Sequence, residues 1–292
     1  MKMYKTTNFC RLCLSKKIKI GLKLKSIPLG EKYSKIESDA KNSYKFPLTV
    51  GWCKKCKSVQ TMEIIEPKLL WSDFTYLSAQ TKAILDHFRY LSNYLIKKFY
   101  IKKENLIIDI GSNDGSFLKF FKKRKCQVLG IDPANNVVKI ANKNGIKTIA
   151  KFFNLKIAKA ISKKNKKAKI VTCFNTFAHA ANMREIIQGV KEILDDNGIF
   201  IFECQYLGDI YKKKILGTIF HEHLYHHSVT SLNNFFHTFD LDLFDVKRVN
   251  IQKGSIIGFV CKKNKKTIFK NVKNLLKIER LNGDIEFKKL KF

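Results

Sequence analysis

Two groups of side chains stand out by their type and spacing. Cys10-Arg-Leu-Cys13 and Cys53-Lys-Lys-Cys56 are C-x2-C knuckles separated by 39 residues. Each knuckle can curl two thiolates onto one ion, and two knuckles complete the tetrahedral sulfur set that zinc prefers. Four protein ligands leave no position for a catalytic water, so such a centre holds shape. A redox pair is the rival reading of a single C-x2-C, but two knuckles flanked by lysines point to structural zinc. The second group is FHEHLYHHS at 220–228, where four of the seven histidines gather around one glutamate. Imidazoles at that density fit a metal site, a proton-transfer site or chance clustering. The metal reading is poor, because His221 and His223 have no third ligand at metal spacing.

These groups must be held by elements that the rest of the sequence lays out. Beyond an amphipathic stretch at 76–99, strand-like apolar runs occur at 105–111, 127–132, 147–153, 169–175 and 198–204. Helical patterns fall between them, near 116–124, 134–143, 154–163 and 182–194. Buried continuous strands joined by helices imply an α/β fold with a parallel, doubly wound sheet. Two later runs, 243–249 and 254–263, read as an antiparallel pair at one edge.

Ligands of such sheets bind beyond the carboxyl ends of the strands. The first strand ends in Asp109-Ile-Gly111-Ser-Asn113-Asp-Gly115, a glycine turn entering a helix. The second ends in Asp132, 23 residues after Asp109, where a carboxylate can accept from both ribose hydroxyls. The third glycine of a dinucleotide fingerprint is missing. The turn fits a ligand with adenosine and no pyrophosphate, S-adenosylmethionine. A side chain at Gly111 would enter the space that the methionine end of this ligand needs. Asn175 and Asp114 line the same face, and a turn-forming role explains them almost as well.

Composition sets the outer bounds. The 292 residues allow one domain with a full core and a smaller one, and 45% hydrophobic content marks a globular chain. The net charge of +33 invites a nucleic-acid reading, but 51 lysines against 6 arginines argue against it, since arginine is the residue that grips phosphate and guanine bidentately. The lysines are also scattered, as on a solvated surface. No run is long enough to span a membrane, and the first residues lack the apolar core of a signal peptide. The expected location is therefore the cytoplasm, where cysteines stay reduced; Cys126, Cys173, Cys204 and Cys261 sit singly in apolar runs and read as core thiols.

IIDIGSNDGSFL, GIDPA, NTFAHAAN, FECQYLGDI and FHEHLYHHS occur in this order, after the double C-x2-C and FTYLSAQ. The set resembles the sugar C-methyltransferases that act on nucleotide-linked 4-keto-deoxysugars, and it spans residues 10 to about 262. The resemblance implies a zinc-binding domain at 1–70 and a class I (Rossmann-like) methyltransferase domain at 71–263. It implies that 264–292 is the start of a truncated C-terminal domain. The cofactors it implies are S-adenosylmethionine, held by Asp109, Gly111, Asn113, Gly115, Asp132 and Asn175, and structural Zn2+ on Cys10, Cys13, Cys53 and Cys56. The partner is a nucleotide-linked sugar, with no membrane and no nucleic acid, and a homodimer is compatible.

Methylation of carbon beside a ketone needs a base for the α-proton, and the last histidine of the motif, His223, takes that part in the resemblance. Glu222 and His221 accompany it, and His179 and Tyr76 match positions that would donate to the ketone oxygen as it becomes an enolate. Plain roles stand beside these: Tyr76 as core, His179 as a helix cap. The family's tyrosine at the head of the motif is Phe220 here, which keeps transfer to oxygen or nitrogen, or an inactive truncated homologue, as alternatives. His226 and His227 lie outside the family pattern and read as surface or loop residues.

Overall fold

Continuous apolar runs capped by glycine or aspartate become the strands of the main sheet. The computed structural model describes residues 3–30, 36–72, 74–164 and 166–281. The first part of the chain forms β1 (Tyr4–Thr6), β2 (Ile18–Ile27), α1 (Glu37–Lys41), β3 (Phe46–Cys53), β4 (Val59–Thr61), β5 (Glu63–Ile65) and α2 (Pro67–Trp71). β1 pairs antiparallel with β5, and β2, β3 and β4 form a separate antiparallel sheet.

The stretch at 76–99 is not one helix. It divides into a 3-10 turn at Ser78–Gln80 and α3 (Lys82–Lys98). The break has a cause: Asn113 and Asp114 accept hydrogen bonds from the amides of Ser78 and Ala79 at 3.0 and 2.9 Å, which draws these groups out of a helical ladder.

Strands and helices then alternate as β6 (Leu106–Ile110), α4 (Ser116–Lys122), β7 (Gln127–Asp132), α5 (Asn135–Lys143), β8 (Thr148–Ala150), α6 (Leu155–Lys164), β9 (Ala168–Phe174), α7 (Met183–Ile193) and β10 (Leu194–Gln205). After α8 (Leu207–Lys212) come β11 (Tyr225–His226), α9 (Val229–His237), β12 (Leu241–Val249), β13 (Ser255–Lys262) and α10 (Lys270–Leu281). Among the described residues the main sheet has the order β12-β13-β10-β9-β6-β7-β8. β8, β7, β6, β9 and β10 are parallel, while β13 runs antiparallel to both β10 and β12. The order reverses between β6 and β9, which opens the crevice where such sheets bind ligands. All five residues of β6 are buried, and each isoleucine there contributes roughly 1.5–3 kcal/mol by leaving water.

Helix α10 begins after residue 263, in the segment expected to open another domain; residues 282–292 lie outside the described residues. Val272 and Leu275 of α10 pack into the same apolar cluster as Val246 of β12 and Leu232 of α9. Glu279 accepts from the Val229 and Thr230 amides at 2.8 and 2.7 Å, a carboxylate where the N-terminus of α9 needs one. Among the described residues no helix is long and apolar enough to cross a membrane.

Candidate functional site

The four knuckle cysteines converge. Their sulfurs all lie within 4.8 Å of one another, with Cys10 and Cys56 at 3.5 Å and Cys13 and Cys53 at 3.6 Å. Four sulfurs about 2.3 Å from a tetrahedral zinc would stand about 3.8 Å apart, so the set fits the ion. The two knuckles share one backbone pattern. The Leu14 amide donates to the Cys10 carbonyl and the Lys57 amide to the Cys53 carbonyl. Leu14 and Lys57 both take left-handed φ, at 61° and 65°, which turns each chain back beneath its thiols. The other four cysteines are free and buried, as expected of core thiols.

At the end of β6 the backbone alternates into the left-handed region at Gly111, Asn113 and Gly115, with φ of 74°, 50° and 76°. The Gly111 and Ser112 amides both donate to the Ile131 carbonyl of β7. Asp132 closes the turn, accepting from the Asn113 and Ala134 amides at 2.9 Å each. Burial pushes its carboxyl up, against the pull of the Ala134 and Asn113 amides. Asp109 points elsewhere: the Thr172 hydroxyl of β9 donates to it at 2.5 Å. Burial pushes Asp109 up to about 7, with the Thr172 bond opposing and the Asp132 charge adding.

Asn113 and Asp114 also lash the preceding segment across the turn. Asn113 donates to the Tyr76 carbonyl at 3.0 Å in addition to accepting from Ser78. Asn175, at the end of β9, has φ of 50°. It donates to Glu203 at 3.3 Å, and its buried Oδ1 has no partner among the described residues. An orphaned buried acceptor beside a glycine turn and a strand-end carboxylate suits the donors of S-adenosylmethionine, an ammonium and two ribose hydroxyls.

Gly111 is constrained by something other than the ligand space expected from sequence. A Cβ there would stand 2.1 Å from Thr176 Oγ1, so the left-handed turn and its packing on the β9 loop exclude a side chain first.

The histidine stretch divides into three environments. Nδ1 of His223 donates to the Thr218 carbonyl at 2.7 Å, which leaves Nε2 as the lone-pair nitrogen. Nδ1 of His179 donates to the Glu222 carbonyl at 2.7 Å, fixing the same tautomer. The two rings lie 4.9 Å apart, with Phe220 4.2 Å from His223 and Trp71 5.0 Å from His179. Burial holds His223 well below the usual histidine value, and the His179 charge pushes the same way. Burial likewise lowers His179. Both rings are therefore neutral at pH 7.

His221 faces away from this pair. It is fully buried against Phe46 and donates to the Pro47 carbonyl at 3.0 Å, which makes it a bolt onto β3. Glu222 is buried, and its carbonyl orients His179. Tyr76 stands half exposed at the rim, edge-on to Phe74, with its hydroxyl on Thr81 Oγ1 at 3.3 Å.

His226 and His227 are not surface residues. They are 3% and 1% exposed. β11 adds antiparallel to β4, pairing Tyr225 with Gln60 and His226 with Val59, and His227 stacks between Phe177 and Tyr225. Tyr225 and His226 of the histidine stretch thus form an edge strand of the cysteine-bearing sheet.

One constellation was missed in the sequence. His87 of α3 meets Glu203 of β10 at 2.6 Å, and Glu203 also holds Asn175. The sign of it was a glutamate inside the apolar run GIFIFEC, at a strand's carboxyl end.

Both parts of the chain are similar to known proteins. The family model for a methyltransferase domain matches residues 80–246, and one for a zinc-binding domain matches residues 10–71. The chain is 30% identical over 250 residues to the C-methyltransferase NovU of Streptomyces niveus. That match covers 86% of this chain and 60% of NovU, so the chain spans about three fifths of the length of this relative. Among solved structures, the PH0226 protein of Pyrococcus horikoshii OT3 aligns with a TM-score of 0.50 at 14% identity, covering 68% of this chain and 98% of that one. A chain from the complex of the Haloferax volcanii Trm112 methyltransferase activator with a methyltransferase also aligns at 0.50, with 11% identity, 64% of this chain and 94% of that one. At these identities both likenesses concern the fold.

Proposed function

Since this chain belongs to the S-adenosylmethionine-dependent methyltransferases and carries a zinc-binding domain on its N-terminal side, we propose that it methylates the carbon beside the ketone of a nucleotide-activated keto-deoxysugar, with His223 as the base. The observation that carries the reading is the tautomer of His223. Its Nδ1 proton is committed to the Thr218 carbonyl, so Nε2 is free to accept, and burial keeps the ring neutral at working pH. The 30% identity to a C-methyltransferase supports a carbon acceptor.

S-adenosylmethionine supplies an electrophilic methyl group on its sulfonium. Nε2 of His223 takes the α-proton, and the electrons of that C–H bond become the enolate. That carbon would then take the methyl group that bound S-adenosylmethionine would supply. His223 releases its proton to solvent when the product leaves. An appropriately placed general base accelerates such a step by about 10²–10⁴-fold. His179 is neutral with Nδ1 occupied, so its Nε2 can accept from a sugar hydroxyl but cannot donate to the enolate oxygen in this tautomer. The enolate donor is assigned instead to Tyr76, whose hydroxyl would exchange its bond to Thr81 Oγ1 for one to the enolate oxygen. On the cofactor side, Asp132 takes the ribose hydroxyls and Asn175 Oδ1 the ammonium. Asn113, Gly111 and Gly115 shape the turn beneath them, and Asp109 braces β6 against β9.

One observation favours a second reading, transfer to oxygen or nitrogen. The ring against His223 is the phenyl of Phe220, where the sugar C-methyltransferases carry a phenol. Incubation with isotopically labelled methyl donor and a panel of nucleotide-linked keto sugars separates the two. A product whose labelled methyl is bonded to carbon supports the proposal. A methyl on oxygen or nitrogen, or no transfer to any of them, overturns it.

A further inference from the structure

We infer that Arg11, lodged between two zinc ligands, is the positioning residue that couples the metal centre to the segment carrying the base. Its side chain is 6% exposed. Nη2 donates to the Leu224 carbonyl at 2.7 Å and Nε to the Tyr225 hydroxyl at 3.2 Å. The guanidinium also lies over the Tyr225 ring, 4.8 Å from its centroid. Leu224 adjoins His223, so the grip is one residue from the base. Thr61 reinforces it, with its hydroxyl on the His223 carbonyl at 2.9 Å and its amide on the Leu224 carbonyl at 3.1 Å.

The place of Arg11 inside the Cys10–Cys13 knuckle ties this grip to the metal centre. A buried cation is costly unless paired, yet Arg11 has no carboxylate partner among the described residues, and Nη1 has no hydrogen-bond partner at all there. Its chain neighbour on one side is Cys10, and Cys13 follows two residues later on the other. Four thiolates on a divalent ion would carry a net charge of two negatives, and Arg11 follows one of those ligands directly in the chain. The fork also needs its planar geometry, because two acceptors on consecutive residues are reached from separate nitrogens. Without the metal the knuckle that carries Arg11 is no longer held closed, and the segment at 224–226 loses its anchor on it. The zinc centre therefore sets the position of His223 from a distance, beyond stapling a small domain. The consequence for catalysis rests on His223 being the base; the clamp itself does not.

The test is amide hydrogen exchange of peptides covering 219–228 in the full chain, with Arg11→Gln and Arg11→Lys beside wild type, each zinc-loaded and after chelation. Loss of a hydrogen bond from a charged donor corresponds to about 10- to 100-fold faster exchange. Arg11→Gln should show that acceleration while zinc content stays at one per chain and S-adenosylmethionine affinity is retained. Arg11→Lys, which keeps the charge and loses the fork, should fall between and serves if the glutamine variant does not fold. Chelation should accelerate the wild-type peptide strongly and the Arg11→Gln peptide little further. Unchanged exchange in the loaded variants overturns the inference, and so does equal acceleration by chelation with and without Arg11. If the sugar reading alone is wrong, the exchange pattern persists while no keto sugar is methylated.

Discussion

His227→Phe isolates the cost of keeping an imidazole neutral in the core. Burial, with the adjacent His226 adding, pushes His227 down to about 3. In the unfolded chain it takes a proton near pH 6.5. Between those values the unfolded state holds one more proton than the folded state. Stability therefore falls as pH falls through this window, by about 1.4 kcal/mol per pH unit for this group. From pH 7.5 to 4.5 the loss integrates to about 2.7 kcal/mol. Phenylalanine suits the site, because the ring stacks on Phe177 and Tyr225 with centroids 5.6 Å away in each case and Nε2 has no partner among the described residues to lose. Urea unfolding of wild type and variant at pH 7.5 and 4.5 gives the comparison, and other titrating groups cancel in the difference. The drop in unfolding free energy should be about 2.7 kcal/mol smaller in His227→Phe. An equal drop in both proteins would mean that His227 titrates alike folded and unfolded, and the neutral-core reasoning would fail.

Three further outcomes follow from the geometry. Asp132→Ala should weaken S-adenosylmethionine by about 1.5–3 kcal/mol in calorimetry, the scale of a hydrogen bond to a charged group. It should also lower the melting temperature, because the Asn113 and Ala134 amides lose their acceptor. Gly111→Ala should destabilise by about 1–2 kcal/mol for its left-handed backbone, plus a packing cost against Thr176 that Thr176→Gly relieves; an unchanged melting temperature in the single variant would refute the assignment. Cys53→Ser should cut the bound zinc measured by elemental analysis and loosen β3 and β4, while the main sheet keeps its amide protection. Full zinc occupancy in that variant would remove Cys53 from the site.

The sheet was legible because its strands are continuous apolar runs ended by Asp or Gly, as in LIIDIG and VLGID. The knuckles were legible because two thiols at C-x2-C spacing have few other uses. The pairing of β11 with β4 was not, since two residues joining a strand more than 160 positions earlier leave no local pattern. That missing contact is why His226 and His227 read as surface and why the role of Arg11 was invisible. The break before α3 was hidden for a similar reason. Its cause lies in Asn113 and Asp114, which capture two amides from some 35 residues away. The split of the histidines into a facing pair, a bolt and two core rings depends on what each ring meets, and only the folded chain supplies that.

The central claim, that His223 removes the proton from the carbon to be methylated, is tested most directly by deuterium exchange. The keto sugar nucleotide is incubated in D2O with wild type and with His223→Ala, without methyl donor, and the α-position is followed by NMR. Wild type should exchange that proton, and His223→Ala should slow the exchange by at least about 10²-fold while binding S-adenosylmethionine as tightly as before. Full-rate exchange in His223→Ala would contradict the account, because another group would then be taking the proton.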